Sequence, residues 1–162
     1  MNRIFLSLGS NLGDRRKNLE QANMLLEEQA GHVGARSAMY ETEPWGFSSD
    51  ISFYNQAVEL YSTQDPSQLL KTLHEIERLC GRKHMSVRYA PRPIDLDILF
   101  FNDYIIETRD LVLPHPTLHL RRFVLIPLAE IAPDVIHPVL NISIGQLLRS
   151  CTDQSAVILL LP

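Results

Sequence analysis

The stretch from Asp95 to Phe101 reads DLDILFF, a short apolar run that opens with two acids. A run of this length that is rich in Ile, Leu and Phe predicts a β-strand. Because side chains alternate along a strand, Asp95 and Asp97 are expected on one face, while Leu96 and Ile98 point to the other. The run therefore predicts a strand that carries two carboxylates on a shared face.

The elements that precede this strand complete a known order. Apolar residues at helical spacing predict a helix that starts at the Asp65-Pro66 cap and stops at Gly81. The other predicted elements are strands over Ile4 to Leu8, Val33 to Tyr40 and Phe53 to Tyr61, and a helix over roughly Arg15 to Gln29. Strand, helix, strand, strand, helix, strand is the split βαβ pattern. It predicts an α+β fold with a ferredoxin-like βαββαβ sheet and helices packed on one face.

The C-terminal part differs in composition. Seven of the ten prolines lie between Pro91 and Pro138, which predicts loop-rich C-terminal additions. Short helices are predicted around His119 to Leu128 and Ile144 to Arg149. A last strand over Ala156 to Leu161 is expected to cover an edge of the sheet.

Length and charge limit the possible classes of protein. With 162 residues, of which 45% are hydrophobic, the chain is expected to form one domain over residues 1–162. A formal net charge of -4 argues against non-specific binding to nucleic acid or to a membrane surface. No apolar stretch approaches the ~20 residues that span a bilayer, and the first apolar run is too short for a signal peptide. A cytoplasmic location is therefore expected.

The residues before the two acids suggest what the acids do. The pair alone is equally compatible with a solvated face and with a Mg²⁺ site, which uses few carboxylates and takes substrate phosphates. Five Lys or Arg residues occur from Arg78 to Arg92, and His84 adds a sixth possible cation. Arginine forks bind phosphate oxygens, so this basic segment predicts a site for phosphoryl transfer, with a solubilising loop as the alternative.

A second group of residues suits a flat ring. Phe53 and Asn55 share a strand face by the same alternation, and Trp45 lies in the loop before them. An aromatic side chain can stack on a heterocycle while an Asn amide pairs with its polar edge, although core packing better explains Phe53 taken alone. His115 lies between two prolines, where it can donate to a phosphate or cap a turn.

Six blocks of the sequence together resemble one enzyme family. They are GSNLG at residues 9–13, YETEP at 40–44, FYN at 53–55, APRPIDLDI at 90–98, PHP at 114–116 and RRFVLIPL at 121–128. The chain resembles the 6-hydroxymethyl-7,8-dihydropterin pyrophosphokinase family of folate biosynthesis over nearly its whole length. The resemblance implies a normally monomeric, ferredoxin-like protein. It also implies transfer of pyrophosphate from Mg-ATP to the pterin hydroxymethyl group, with release of AMP.

The resemblance also implies roles for individual residues. Two Mg²⁺ ions are expected on Asp95 and Asp97, with Arg82 and Arg92 as catalytic arginines on the phosphates. Residues expected to line the ATP site are Glu77, Arg88, Tyr89, Ile98, His115 and Arg121. Residues expected around the pterin are Thr42, Pro44, Trp45, Phe53, Asn55 and Phe123, with the ring stacked between the two phenylalanines.

Three positions depart from the family pattern. His84 stands where well-known members carry an arginine, Tyr89 where they carry a tryptophan, and Glu43 where a small residue or proline is common. The first two departures leave a second hypothesis open, in which the chain is a nucleotide- or pterin-binding module without catalysis. A third hypothesis is an RNA-binding domain of the same fold, but the Gly-Phe motif with which such domains stack bases is missing.

Overall fold

The computed structural model describes residues 1–43, 51–82 and 91–162. The helices are α1 (Arg15–Gln29), α2 (Pro66–Leu79), a 3-10 helix (Leu118–Leu120), α3 (Arg122–Ile131) and α4 (Ile144–Ser150). The strands are β1 (Asn2–Ser10), β2 (His32–Arg36), β3 (Tyr40–Thr42), β4 (Phe53–Ser62), β5 (Asp95–Phe101), β6 (Ile106–Glu107), β7 (Val112–Leu113) and β8 (Val157–Leu159). Within the three described ranges, no helix is long and apolar enough to cross a membrane.

One antiparallel sheet of six strands organises the molecule. Its strands lie in the order β5, β1, β4, β3 and β8, and β2 also pairs with β4. The strands that flank α1 and α2 therefore interleave as a split βαβ unit requires, which confirms the predicted α+β class. Strand β8 pairs with β3 at the edge of the sheet, so the prediction of a final edge strand is also confirmed.

The two long helices begin where the sequence predicts. Asp14 accepts a hydrogen bond from the Lys17 amide at 3.1 Å, and Asp65 accepts one from the Gln68 amide at 2.8 Å. Such caps satisfy amides that have no acceptor within the first turn of a helix. At the other end of α2, Gly81 has a φ of 90°, a conformation that glycine adopts without strain.

The prediction of one strand over Val33 to Tyr40 is wrong, because the structure divides this segment between β2 and β3. Ser37 lies between them, and its hydroxyl oxygen accepts a hydrogen bond from the Ala57 amide at 2.9 Å. The Ser37 amide in turn donates to the Ala57 carbonyl oxygen at 2.9 Å. A side chain thus takes over part of the backbone pairing with β4, and the register of β2 shifts before it reaches this point.

Both faces of the sheet are covered. On one face, α1 and α2 pack on Ile4, Leu6 and Leu8 of β1, as predicted for the two long helices. On the other face, α3 and α4 pack on a second cluster that includes Phe5 and Phe100. The C-terminal additions were expected to be rich in loops, but their helices supply this second layer.

Candidate active site

A cavity of about 400 Å³ opens on the face of the sheet that α3 covers. It lies where β1 ends and where β4 and β5 begin, because antiparallel pairing brings Gly9 beside both Asn55 and Asp95. Thr42 pairs with Phe53, and both side chains point to the same face by alternation. The cavity is lined by Ser7, Gly9, Thr42, Glu43, Phe53, Asn55, Arg82, Arg92, Asp95, Asp97, His115, Pro116, Thr117, Arg121 and Phe123.

Charged side chains form one side of the cavity. Nη1 of Arg82 lies 3.0 Å from Oδ1 of Asp95, and Nη1 of Arg92 lies 3.3 Å from the same oxygen. Two guanidinium groups thus converge on one carboxylate, which places several fixed donors where phosphate oxygens can bind. The charged wall is defined as Arg82, Arg92, Asp95, Asp97, His115 and Arg121.

Buried groups hold both arginines in place. Asn11 is fully buried, and its side-chain Oδ1 accepts a hydrogen bond from the Arg92 backbone amide at 2.8 Å. The backbone amide of Asn11 donates to the Arg92 carbonyl oxygen at 3.1 Å. Behind Arg82, Oε2 of Glu77 lies 2.7 Å from Nη1, while Oε1 accepts from the Leu96 amide at 2.9 Å. Burial raises the pKa of Glu77 to about 7. Glu77 therefore supports Arg82 from behind and does not itself line the cavity.

Asp97 lies beside Asp95 on the cavity floor, and Leu96 between them points into the opposite core, as the alternation predicts. Burial raises the pKa of Asp97, and the nearby carboxylates of Asp95 and Glu77 raise it further. A negative charge on Asp97 is therefore costly unless a cation binds nearby. Two carboxylates on one face supply the hard oxygen ligands that a Mg²⁺ ion takes from proteins.

His115 is fixed in its turn by backbone hydrogen bonds. Its amide donates to the Leu99 carbonyl oxygen at 3.0 Å, and its Nδ1 accepts from the Thr117 amide at 3.3 Å. Burial, and then the positive charge of Arg121, lower the pKa of His115 to about 4. The imidazole is therefore neutral at pH 7. Because Nδ1 accepts, its proton is on Nε2, which makes His115 a neutral hydrogen-bond donor.

Aromatic and amide side chains form the other side of the cavity. Nδ2 of Asn55 donates to Oγ1 of Thr42 at 2.6 Å, which fixes the orientation of the Asn55 amide. A Cβ atom at Gly9 would lie 3.2 Å from Oδ1 of Asn55 and 3.5 Å from Cδ1 of Phe53. Glycine at this strand position therefore leaves room for both side chains. The aromatic wall is defined as Gly9, Thr42, Phe53, Asn55 and Phe123.

The start of α3 contributes to both walls. Arg121 has an extended backbone immediately before the helix, and its guanidinium carbon lies 5.8 Å from the centre of the Phe123 ring. The predicted helix around His119 to Leu128 is interrupted at this residue, with a 3-10 turn before it and α3 after it. Oδ2 of Asp153 accepts a hydrogen bond from the Arg122 amide at 2.9 Å and so fixes the first turn of α3.

The structure brings together most of the residues predicted from the sequence, but not all of them. The side chain of Ile98 lies in the core on the opposite face of the sheet, so it does not line the cavity. Four predicted site residues lie outside the described residues, namely Pro44, Trp45, Arg88 and Tyr89. His84, where the family pattern differs, also lies outside them.

Five lining residues were not predicted as site residues. They are Ser7, Gly9, Glu43, Pro116 and Thr117. Gly9 lies just beyond the strand predicted over Ile4 to Leu8, but in the structure it belongs to β1. The available signal was a glycine inside an apolar strand, which is typical of a close approach by another group. Thr117 gives no such signal, because its contact with His115 depends on the conformation of the turn.

Comparisons with known proteins agree on one family. The family model for 7,8-dihydro-6-hydroxymethylpterin-pyrophosphokinase (HPPK) matches residues 5–133. A 2-amino-4-hydroxy-6-hydroxymethyldihydropteridine pyrophosphokinase of Bacillus subtilis is 45% identical over 137 residues, which cover 83% of this chain and 81% of that protein. The protein of the same name from Porphyromonas gingivalis is 44% identical over 138 residues, which cover 83% of this chain and 93% of that protein.

Other similar proteins are much longer than this chain. A folic acid synthesis protein of Dictyostelium discoideum is 41% identical over 90% of this chain, which corresponds to 22% of that protein. A crystal structure of HPPK-DHPS in complex with substrates has a TM-score of 0.75 at 20% identity, and the match covers 92% of this chain and 43% of that one. A Plasmodium falciparum HPPK-DHPS structure has a TM-score of 0.73 at 22% identity, with the same coverage. These structures support the fold.

Proposed function

The chain belongs to the HPPK family, and we propose that it is an ATP-dependent pyrophosphokinase of tetrahydrofolate biosynthesis. It transfers the pyrophosphoryl group of ATP to the hydroxymethyl group of 6-hydroxymethyl-7,8-dihydropterin, which gives the pterin diphosphate and AMP. Residues 1–162 act as a single pyrophosphokinase domain. One observation carries the proposal: a single cavity of about 400 Å³ has a charged wall suited to a triphosphate and an aromatic wall suited to a flat ring.

The charged wall is proposed to bind ATP and its metal. Asp95 and Asp97 would hold two Mg²⁺ ions, which would neutralise negative charge on the phosphates and make the β-phosphorus more electrophilic. The donor set fits, because both ligands are carboxylates and burial makes the negative charge of Asp97 costly without a cation. In the described part of the chain, no group of three or more His, Cys, Asp or Glu side chains converges on one point. Mg²⁺ sites in proteins commonly use few carboxylates and take water and substrate phosphates as the other ligands.

The arginines and the histidine of this wall bind the phosphates directly. Arg82 and Arg92, which meet at Asp95, donate to the transferred group as charge moves to its oxygens. Arg121 and the neutral Nε2–H of His115 donate to the rest of the triphosphate. Arg88 and Tyr89 are the other proposed contacts of ATP, and Glu77 contributes by holding Arg82 from behind. Ile98 is not retained as a contact, because its side chain lies in the core on the opposite face.

The aromatic wall is proposed to bind the pterin. Phe53 and Phe123 lie on opposite sides of the ring and stack on its faces. Since Nδ2 of Asn55 already donates to Thr42, its Oδ1 is oriented to accept from an amino or ring N–H group of the pterin. Pro44 and Trp45 are the other proposed contacts of the pterin.

The reaction proposed for this cavity is an in-line displacement. The hydroxymethyl oxygen of the pterin forms a bond to the β-phosphorus, and the bond from that phosphorus to the α–β bridging oxygen breaks. The electron pair of the broken bond stays on the bridging oxygen, which leaves as part of AMP. The hydroxyl proton passes to water or to a phosphate oxygen. The residues of both walls contribute position and charge stabilisation, since a loose transition state needs little early deprotonation.

A single assay tests the activity. The protein is incubated with ATP, Mg²⁺ and 6-hydroxymethyl-7,8-dihydropterin, and nucleotides are separated by chromatography. AMP that forms only when the pterin is present supports the proposal. A binding module without catalysis would bind both ligands and form no AMP, and an ordinary kinase would form ADP.

The protein is proposed to act as a monomer in the cytoplasm, with small-molecule substrates and without nucleic acid or membrane partners. Both walls of the cavity come from one chain, so a second subunit is not needed to complete the site. The net charge of -4 is consistent with a protein that does not bind nucleic acid by charge alone. Light scattering tests the oligomeric state, with an expected mass of 18.5 kDa.

A further inference from the structure

Arg15 begins α1 and contacts both strands that carry the aromatic wall. Its Nη1 donates to the carbonyl oxygen of Ser52 at 2.9 Å and to the Ser52 hydroxyl oxygen at 2.8 Å. The same nitrogen lies 3.7 Å from Oε2 of Glu41, and the guanidinium carbon lies 3.9 Å from the centre of the Tyr54 ring. One side chain thus joins the end of β3 to the start of β4.

These contacts are made from the face of the sheet opposite the cavity. Thr42 and Phe53 pair with each other and point into the cavity. Glu41 and Tyr54 pair one position away, so their side chains point to the other face, where Tyr54 packs against the core beneath α1. Arg15 therefore does not line the cavity, although each residue that it contacts is a direct neighbour of one that does.

Strand β3 needs such support because it is short. It has three residues, and its pairing with β4 aligns Tyr40 with Asn55 and Thr42 with Phe53. A slip of one residue would turn every side chain of β3 to the opposite face. The hydrogen bond from Asn55 to Thr42 exists only in the observed register. The position of the aromatic wall thus depends on how firmly β3 is held against β4.

We propose that Arg15 is a positioning residue for the pterin half of the site. It holds β3 and β4 in the register that places Thr42, Phe53 and Asn55 around the ring, and it does so without touching substrate. The inference rests on the proposed function, since it assigns Arg15 to the pterin and not to ATP. The charged wall is held by different contacts, those of Asn11 and Glu77, so the nucleotide half does not depend on Arg15.

The test compares Arg15→Ala with Arg15→Lys and with Lys17→Ala. Lys17 lies in the same helical turn, its side chain is 79% exposed, and its removal changes the net charge equally. Arg15→Ala is expected to raise the KM and the Kd for the pterin about 10-fold to 100-fold, the size of effect that a small misplacement in a site produces. The Kd for ATP should stay within about 2-fold of the parent value, because the charged wall is unaffected. Arg15→Lys keeps the charge but not the fork, so it should restore part of the pterin affinity.

A second variant keeps the test decisive if Arg15→Ala does not fold. Glu41→Gln removes one charge from the same cluster and should raise the pterin KM by a smaller factor. The rise in pterin KM that Glu41→Gln causes should be smaller in the Arg15→Lys variant than in the parent, because Arg15 and Glu41 act through one contact. An unchanged pterin affinity in Arg15→Ala, or a parallel loss of pterin and ATP affinity, would overturn the inference.

The parent enzyme separates this inference from the proposed function. If the parent forms no AMP from ATP and the pterin, the proposed function fails. If the parent forms AMP and Arg15→Ala keeps normal affinity for the pterin, only the positioning role of Arg15 fails.

Discussion

The charged wall and the aromatic wall of the cavity are built in different ways. In the charged wall, Arg82 and Arg92 are held partly by the carboxylate of Asp95, at 3.0 Å and 3.3 Å. In the aromatic wall, Asn55 is held by a neutral hydrogen bond to Thr42 and by strand pairing. Ion pairs within a site can be exchanged for contacts to a charged ligand, whereas strand pairing stays as it is. The first wall is therefore suited to respond to charge during the reaction, and the second to present a fixed surface to a ring.

Removal of Asp97 should have the largest effect, because it deprives the charged wall of a metal ligand. Asp97→Ala is expected to lower kcat by about 10³-fold or more, since a metal ion contributes several kcal/mol of charge stabilisation. The Kd for the pterin should change little. Steady-state AMP formation and pterin titration measure the two effects, and near-normal turnover with Mg²⁺ would contradict the metal role.

The stability of the same variant serves as its control. The pKa of Asp97 is raised in the folded protein, so its ionised form costs free energy of folding. Without Mg²⁺, the stability of the parent should therefore fall as the pH rises from the ordinary carboxyl range towards this raised pKa. Asp97→Ala should lose that part of the pH dependence and unfold at a higher denaturant concentration than the parent at pH 7. A destabilised variant would instead indicate that Asp97 supports the fold.

Arg82→Ala is expected to have the next largest effect, and it separates rate from binding. The arginine donates to oxygens that gain charge during transfer, and loss of one such donor costs about 10²–10³-fold in kcat. The Kd for ATP should rise far less, because the other donors of the wall remain. Single-turnover kinetics and nucleotide titration provide the comparison. Equal losses in rate and in ATP affinity would mean that Arg82 is a simple binding residue.

Phe123→Ala tests the aromatic wall. Loss of one stacking face should weaken pterin binding by about 5-fold to 150-fold, as stacking on a flat base contributes roughly 1–3 kcal/mol. The Kd for ATP should be nearly unchanged, so the loss falls on pterin binding, whereas changes in the charged wall mainly lower kcat. Fluorescence titration with the pterin measures this effect, and parental affinity in the variant would refute the stacking role.

Gly9→Ala should have the smallest effect of the series. The added methyl group would lie 3.2 Å from Oδ1 of Asn55, a distance that obliges the amide to move by a few tenths of an ångström. The pterin KM is expected to rise by a few fold to about 10-fold, since the amide is the group that must match the ring. Ser7→Ala, a change at another lining residue of β1, provides a control for altered stability of the strand. An unchanged KM would show that the amide has room to adjust.

Local patterns predicted the charged wall better than the aromatic wall. Asp95 and Asp97 could be placed on one face because alternation is a property of a single strand. The position of Gly9 beside both Asp95 and Asn55 depends on pairing between three strands that are distant in sequence. No pattern within a single stretch of the sequence indicates which strands pair in this way.

Two features of the fold escaped prediction for a similar reason. Ser37 divides a predicted strand because its hydroxyl pairs with the Ala57 amide, 20 residues away in sequence. The layer formed by α3 and α4 also escaped prediction, because the sequence does not indicate which part of the second sheet face these helices cover. Leu99 and Phe100 both belong to that second core, because the pairing of β1 with β5 shifts by one residue next to them.

The bond that breaks in ATP tests the central claim most directly. The protein is incubated with Mg²⁺, the pterin and ATP that carries oxygen-18 in the α–β bridge, and the products are analysed by mass spectrometry. Attack on the β-phosphorus predicts that all of the label remains in AMP and that the pterin diphosphate is unlabelled. Label in released pyrophosphate would indicate attack on the α-phosphorus, and labelled ADP would indicate transfer of the γ-phosphoryl group. Either result would contradict pyrophosphoryl transfer in this cavity.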